Sequence, residues 1–160
     1  MHNDEYSRPA TLNDLKRIVQ SLNQQGAEYI LIGGYALFSH GYHRATEDID
    51  LLVPASVSSS KAIINALLVL SDKESANLKP EWFEEGDNIR LADEVVVDLI
   101  FKTCGENYET LSPYVEIVDL DGIPVKTLSL EGLLRTKQSD RDKDRMDRMV
   151  IMKALDAMRK

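Results

Sequence analysis

The stretch from Gly33 to Val53 reads GGYALFSHGYHRATEDIDLLV and places two glycines ahead of two aspartates that are separated by one apolar residue. Immediately before it, EYILI is a short apolar run of the kind that forms a buried strand. The glycine pair ends this strand, and YALFSH predicts a short helix that ends at Gly41. We therefore predict a strand, a glycine turn and a helix in direct succession.

The end of the same stretch predicts a second strand that carries acidic side chains. TEDIDLLV alternates between two faces, with Asp48 and Asp50 on one of them, and Pro54 ends the run. Residues two apart on a strand lie roughly 6 to 7 Å apart, so both carboxylates can converge on one point. Two such charges about 5 Å apart repel by on the order of 3 kcal/mol at an effective dielectric near 20, and a cation must offset this repulsion.

A third aspartate lies in another predicted strand. IRLADEVVVDLIF predicts two strands joined at residues 92–94, and Asp98 lies in the second, among β-branched and apolar residues. An unpaired buried charge is costly, so Asp98 requires a partner or a metal ion, and Mg²⁺ binds carboxylates together with substrate phosphates. The alternative is that the three aspartates are solvated or form structural ion pairs with Arg44 or Arg90.

The rest of the chain predicts further helices and strands. Thr11 and Asp14 form a capping-box pattern ahead of an amphipathic helix, and Ser129 precedes another helical pattern. A turn is predicted at residues 121–122, with Pro124 favouring an edge strand after it. The order of elements predicts an α/β sandwich around a small mixed sheet, with one domain over residues 1–160 and a helical C-terminal segment from about 129 to 160.

Composition narrows the classes of function. The 160 residues carry a formal net charge of −8, which disfavours binding to extended nucleic acid. Cys104 is the one cysteine, so no intrachain disulfide can form and a reducing compartment is indicated. No secretory pattern is visible, and the longest apolar stretch, AIINALLVL, is too short to cross a bilayer. We therefore predict a cytoplasmic protein without membrane contact.

Taken together, these features carry a family resemblance. A strand ending in Gly-Gly, a helix, Asp-x-Asp on the next strand and a third aspartate on a later strand resemble the nucleotidyltransferase superfamily that includes DNA polymerase β. More narrowly, the first stretch together with SLEGLLRTKQSDRDKDRMDRM is similar to small bacterial nucleotidyltransferases related to the AbiEii toxins. The resemblance covers roughly residues 29 to 150, and it implies a nucleotidyltransferase-like α/β sandwich.

The resemblance also implies a reaction and its metal ligands. Asp48 and Asp50 would hold two Mg²⁺ ions on the triphosphate of an NTP such as ATP. Asp98 would ligate the catalytic metal and help to activate an attacking hydroxyl. An NMP would then pass to a hydroxyl on a protein, a small molecule or an RNA end, with a link to toxin–antitoxin systems.

The nucleotide contacts implied by the resemblance lie outside the aspartates. Gly33 and Gly34 would cradle phosphates, Arg44 and Thr46 would contact phosphate, and Lys137 would face the nucleotide. Many superfamily members have Gly-Ser where this chain has Gly34 followed by Tyr35, so the backbone must replace the serine hydroxyl. For Lys137 the alternative is a solvated helix face.

A different class of function is suggested by the end of the chain. At helical spacing, Asp140, Asp144 and Asp147 form one stripe beside a stripe of arginines, which favours an exposed or partner-facing helix. The alternative to an enzyme is therefore a non-catalytic module of the same fold, which would bind a protein partner through this helix as antitoxins do.

Overall fold

One mixed sheet organises residues 7–43 and 46–159, which are the residues that the computed structural model describes. The described strands are β1 (Ile30–Ile32), β2 (Ile49–Leu52), β3 (Ile89–Ala92), β4 (Val96–Ile100), β5 (Val115–Leu120) and β6 (Ile123–Leu128). They lie in the order β3-β4-β2-β1-β6-β5. The pairs β1/β6 and β2/β4 are parallel and the other pairs are antiparallel, which confirms the predicted α/β fold with a mixed sheet.

Helices cover this sheet and connect its strands. They are α1 (Leu12–Gln24), α2 (Gly33–Ser39), α3 (Val57–Leu67), α4 (Pro80–Glu85), α5 (Tyr108–Leu111), α6 (Leu130–Arg135) and α7 (Asp142–Met158), with 3₁₀ turns at Glu74–Asn77 and Ser112–Tyr114. The predicted capping box is confirmed, because Asp14 N donates to Thr11 Oγ1 and Thr11 N donates to Asp14 Oδ2. The Ser129 cap is also confirmed, since its side chain accepts from Gly132 N.

Side-chain alternation separates the core from the functional face of the sheet. Ile49 and Leu51 of β2 are fully buried beside their β4 partners, Val97 and Leu99. Since successive side chains on a strand point to opposite faces, Asp50 lies on the other face of the sheet. Helix α2 contacts β1, β2 and α6, and α6 packs against α7. The acidic face of β2 therefore lies beside the α2 end of β1.

The second strand is shorter than the alternation in TEDIDLLV predicts. It begins at Ile49, so Thr46 and Asp48 precede it, and the prediction that they lie within a strand is wrong. Strand β1 supplies only three residues, and its last pair joins Ile32 to Asp50. At Gly33 the chain turns into α2, so no backbone partner on β1 remains for residues before Asp50.

The prediction of an edge strand at Pro124 is wrong as well. Strand β6 lies between β1 and β5, and β5 forms the edge. Proline is tolerated because the recorded β1/β6 pairing is at Leu31 and Thr127, so the beginning of β6 has no ladder on that side. The predicted turn is confirmed, since Asp121 and Gly122 both have positive φ, 51° and 88°.

The helical C-terminal segment consists of α6 and α7, which are separated by the loop at residues 136–141. None of the helices in the described part of the chain combines the length and apolarity that a membrane span requires.

Candidate active site

Cross-strand register brings the predicted carboxylates together. Asp50 lies directly opposite Asp98 in the parallel β2/β4 pair, and each carboxyl affects the pKa of the other. The charge of Asp48, immediately before β2, contributes to the raised pKa of both groups. Asp98 thus joins two acidic side chains that lie about 50 residues earlier in the sequence.

This crowding changes the proton affinity of the cluster. Burial, the larger cause, and the charge of Asp98 together raise the pKa of Asp50 to about 7. Burial also raises the pKa of Asp98, although Arg90 opposes that change. Because each carboxyl changes the proton affinity of the other, Asp50 and Asp98 titrate as a pair and not as two independent groups.

Arg90 supplies positive charge to the cluster. It lies on β3 directly opposite Asp98. Its Nη1 donates to both Asp98 oxygens at 3.2 and 3.0 Å, and its Nη2 donates to Asp48 Oδ2 at 3.2 Å. The ion-pair alternative is therefore observed for Asp48 and Asp98 with Arg90. The other arginine proposed for this role, Arg44, lies outside the described residues.

A cavity of about 590 Å³ remains above the carboxylates, so these ion pairs do not fill the site. Among the described residues, no three acidic, histidine or cysteine side chains already stand as a complete metal-binding group. Arg90 donates to oxygens of Asp98 and Asp48 that a metal ion would need. The donor set itself fits Mg²⁺, because carboxylate oxygens are its preferred protein ligands and a cation would relieve the repulsion that raises the pKa of Asp50.

The two glycines bring the backbone of α2 close to the carboxylates. Gly33 has a φ of +74°, and a Cβ at this position would lie 2.2 Å from Asp50 Oδ2. A Cβ on Gly34 would lie 2.5 Å from Thr46 Oγ1. Any larger residue would displace these side chains, so both glycines are required for the close approach. The structure thus places Gly33, Gly34 and Thr46 together on the cavity wall.

Positive side chains form the remaining wall of the cavity. Lys137 is buried, and its Nζ lies 3.0 Å from Asp147 Oδ2. The alternative of a solvated helix face is therefore wrong for Lys137. The cationic residues that line the cavity are Arg90, Lys102, Lys137, Arg141 and Lys143. They share the cavity with five acidic residues, Glu47, Asp48, Asp50, Asp98 and Asp144.

The helical spacing of the acidic residues predicts an exposed or partner-facing stripe. This prediction is wrong for the two acidic residues of the stripe that lie on α7. Asp144 and Asp147 are buried, with 1% and 3% of their surface exposed, while Asp140 is exposed. Both continue the buried face of α7, which also includes Ile151 and Ala154. The 3-4-3 spacing of these four residues was the sequence signal for an inward-facing helix, and it was missed because the first two residues are charged.

These buried acids anchor the loop between α6 and α7. Asp144 accepts hydrogen bonds from Ser139 Oγ and from Arg141. Arg148 donates to the carbonyl oxygens of Lys137 and Ser139, the latter at 2.7 Å. Helix α7 therefore holds the backbone of residues 137–139 in place, with Lys137 and Arg141 beside the cavity.

The raised pKa of Asp50 predicts a pH-dependent stability in the metal-free protein. Between the ordinary pKa of 3.8 and about 7, the folded state keeps a proton that the unfolded state has lost, so the free energy of unfolding falls as pH rises. In Asp50→Asn the side chain cannot ionise, so the free energy of unfolding of this variant does not fall with pH through this group. It should be up to about 4 kcal/mol more stable than the parent at pH 8 and nearly equal to it at pH 4.

Urea unfolding with EDTA at pH 4, 6 and 8 measures this difference. Asp119→Asn is the matched control, because Asp119 is an exposed aspartate on β5, at the far edge of the sheet. A stability gain for Asp50→Asn that does not grow with pH would contradict the raised pKa.

Comparison with known proteins finds a similarity in fold. No family model matches the sequence, and no curated protein matches it significantly. The structure is similar to a crystal structure from Thermotoga maritima described as a "putative nucleotidyltransferase", with a TM-score of 0.57 and 17% sequence identity. The match covers 97% of this chain and 94% of that one. The chain therefore has an α/β fold similar to that of a nucleotidyltransferase.

Proposed function

We propose that this protein is a Mg²⁺-dependent nucleotidyltransferase that moves an NMP from an NTP to a hydroxyl acceptor. The observation that carries the proposal is the meeting of Asp48, Asp50 and Asp98 on the floor of a cavity with cationic walls. A polar cavity with converging ionisable groups of shifted pKa is the arrangement expected of an active site. The fold similarity supports the same class of reaction.

The charge distribution supports a polyanionic substrate. A chain of net charge −8 repels anions at long range, yet this cavity gathers the five cationic side chains named above. Lys137, Arg141 and Lys143 come from the α6–α7 loop and the start of α7, and they line the same cavity as the carboxylates. Such a cluster would bind the triphosphate of an NTP through charge-assisted hydrogen bonds.

The three aspartates would hold the metal. Bound Mg²⁺ would supply neutralisation of the phosphate charge and alignment of an in-line displacement. Asp98 would accept the proton of the acceptor hydroxyl as its oxygen bonds to the α-phosphorus and the bond to the β-phosphate breaks. Lys137 and Arg141 would stabilise the negative charge on the departing pyrophosphate.

Binding and transfer are tested with the purified protein and each of the four NTPs. With Mg²⁺, at least one NTP should raise the thermal stability, since a ligand at about a hundredfold its dissociation constant adds about 2.7 kcal/mol. Label on the α-phosphate should pass to an acceptor supplied as protein, RNA or small molecule, with release of pyrophosphate. Absence of any Mg²⁺-dependent shift with all four NTPs would contradict the proposal.

A second candidate is a non-catalytic, antitoxin-like binding module that acts through α7. It is favoured by the exposed methionines of this helix, since Met146, Met149 and Met158 are 68%, 73% and 73% exposed. The toxin–antitoxin link rests on the sequence resemblance. The same assay separates the candidates, because a binding module of this kind would show no α-phosphate transfer under any condition.

A further inference from the structure

We propose that Arg90 is an exchangeable counterion, which occupies the carboxylates in the free protein and leaves them when metal and nucleotide bind together. This inference rests on the proposed function, and it assigns a positioning role to a residue outside the sequence-predicted site. Its consequence is ordered loading, in which the protein takes up a divalent cation effectively only with an NTP.

The position of Arg90 allows it to compete with a metal ion. A single guanidinium bridges two carboxylates, with Nη1 3.0 Å from Asp98 Oδ2 and Nη2 3.2 Å from Asp48 Oδ2. Both acids are proposed metal ligands, so a metal and Arg90 require the same oxygens. A guanidinium presents its N–H groups as a planar fork that suits carboxylates, and these charge-assisted hydrogen bonds are strong.

The surroundings of Arg90 allow it to move. It lies on β3, the strand at the edge of the sheet, and its side chain is 48% exposed. It also lines the large cavity, so the released guanidinium would remain within the space that the nucleotide enters. Displacement can therefore proceed by rotation of a half-exposed side chain at the edge of the sheet.

The charge balance explains why metal and nucleotide should bind together. A cation that enters alone displaces the Arg90 hydrogen bonds and adds positive charge beside Lys137 and the released guanidinium. A nucleotide triphosphate brings acceptor oxygens that can take the hydrogen bonds Arg90 loses. Each ligand thus removes the electrostatic cost of the other, which is positive coupling between the two binding events.

Arg90→Gln tests this coupling with Mn²⁺ as the probe, measured by electron paramagnetic resonance and by titration calorimetry. Without nucleotide, the variant should bind Mn²⁺ about tenfold more tightly than the parent, since loss of one charge-assisted competitor is typically worth at least that factor. Addition of a non-hydrolysable NTP analogue should raise the Mn²⁺ affinity of the variant by a smaller factor than it raises that of the parent. Arg90→Lys, which keeps the charge but lacks the fork, should lie between them.

Arg141→Gln is the matched control, because Arg141 lines the same cavity but pairs with Asp144 and not with the proposed metal ligands. It should weaken nucleotide binding and leave Mn²⁺ affinity without nucleotide unchanged. If the parent binds Mn²⁺ with nucleotide while Arg90→Gln gains no affinity for Mn²⁺ alone, the Arg90 inference is wrong and the proposed function stands. If parent and variant bind no Mn²⁺ under any condition, both are wrong.

Discussion

Asp50→Asn is expected to lower nucleotidyl transfer roughly 1,000-fold or more, which corresponds to about 4 kcal/mol of transition-state stabilisation. Asp50 contributes a central carboxylate of the cluster, between Asp98 on β4 and the backbone of Gly33. An amide has nearly the same shape but no charge, so the cavity persists while one proposed metal ligand is weakened. The same substitution is expected to stabilise the metal-free fold near and above neutral pH, and urea unfolding of the variant checks that a loss of activity does not come from unfolding.

The measurement is transfer of α-phosphate label under saturating NTP and Mg²⁺, with Mn²⁺ binding followed in parallel. Asp98→Asn should show a loss of similar size, because it removes both a metal ligand and the proposed proton acceptor. Asp119→Asn, remote from the cavity, should retain the parent rate. Transfer that persists at the parent rate in Asp50→Asn and Asp98→Asn would remove the carboxylates from the mechanism.

Lys137→Met is expected to lower the free energy of unfolding by roughly 3–5 kcal/mol, because it removes one charge of a buried ion pair. The side chains of Lys137 and Asp147 are only 9% and 5% exposed, and their charged atoms lie 3.0 Å apart. Lys137 also lowers the pKa of Asp50 through its charge, so its removal takes away a charge that offsets the repulsion within the carboxylate cluster. NTP binding should be lost in the same variant.

The double variant Lys137→Met, Asp147→Leu separates the two roles of this lysine. Replacing both members of a buried pair by apolar groups is often close to neutral, so much of the lost stability should return in chemical denaturation. Nucleotide binding should not return, because no cation faces the cavity from this position. Recovery of NTP binding in the double variant would show that Lys137 acts only through folding.

Local patterns were sufficient to predict much of this architecture. The capping box at Thr11, the turn at residues 121–122 and the strands that carry Asp50 and Asp98 all follow from residues close together in sequence. Alternation places Asp50 away from the apolar core face, and burial cost requires a partner for Asp98. These properties depend on neighbouring residues and on solvation, so they can be inferred without the fold.

Features that depend on distant packing could not be inferred in this way. Arg90 meets Asp48 and Asp98 through the pairing of β3 with β4, and the sequence left its role as one alternative among several. Strand β2 begins at Ile49, which pairs with Val97 of β4, so Asp48 lies outside the strand that its alternation predicted.

The acidic residues of α7 also combine a feature that local sequence predicts with one that depends on distant packing. Their spacing indicates a helix and one shared face, but charge alone favours solvent. Packing of α7 against α6 buries Asp144 and Asp147, and the cations of the intervening loop compensate them. Sequence therefore specified the elements and the chemical types available to the site, whereas tertiary packing selected which charges meet, because the energy of a buried charge depends on partners that are remote along the chain.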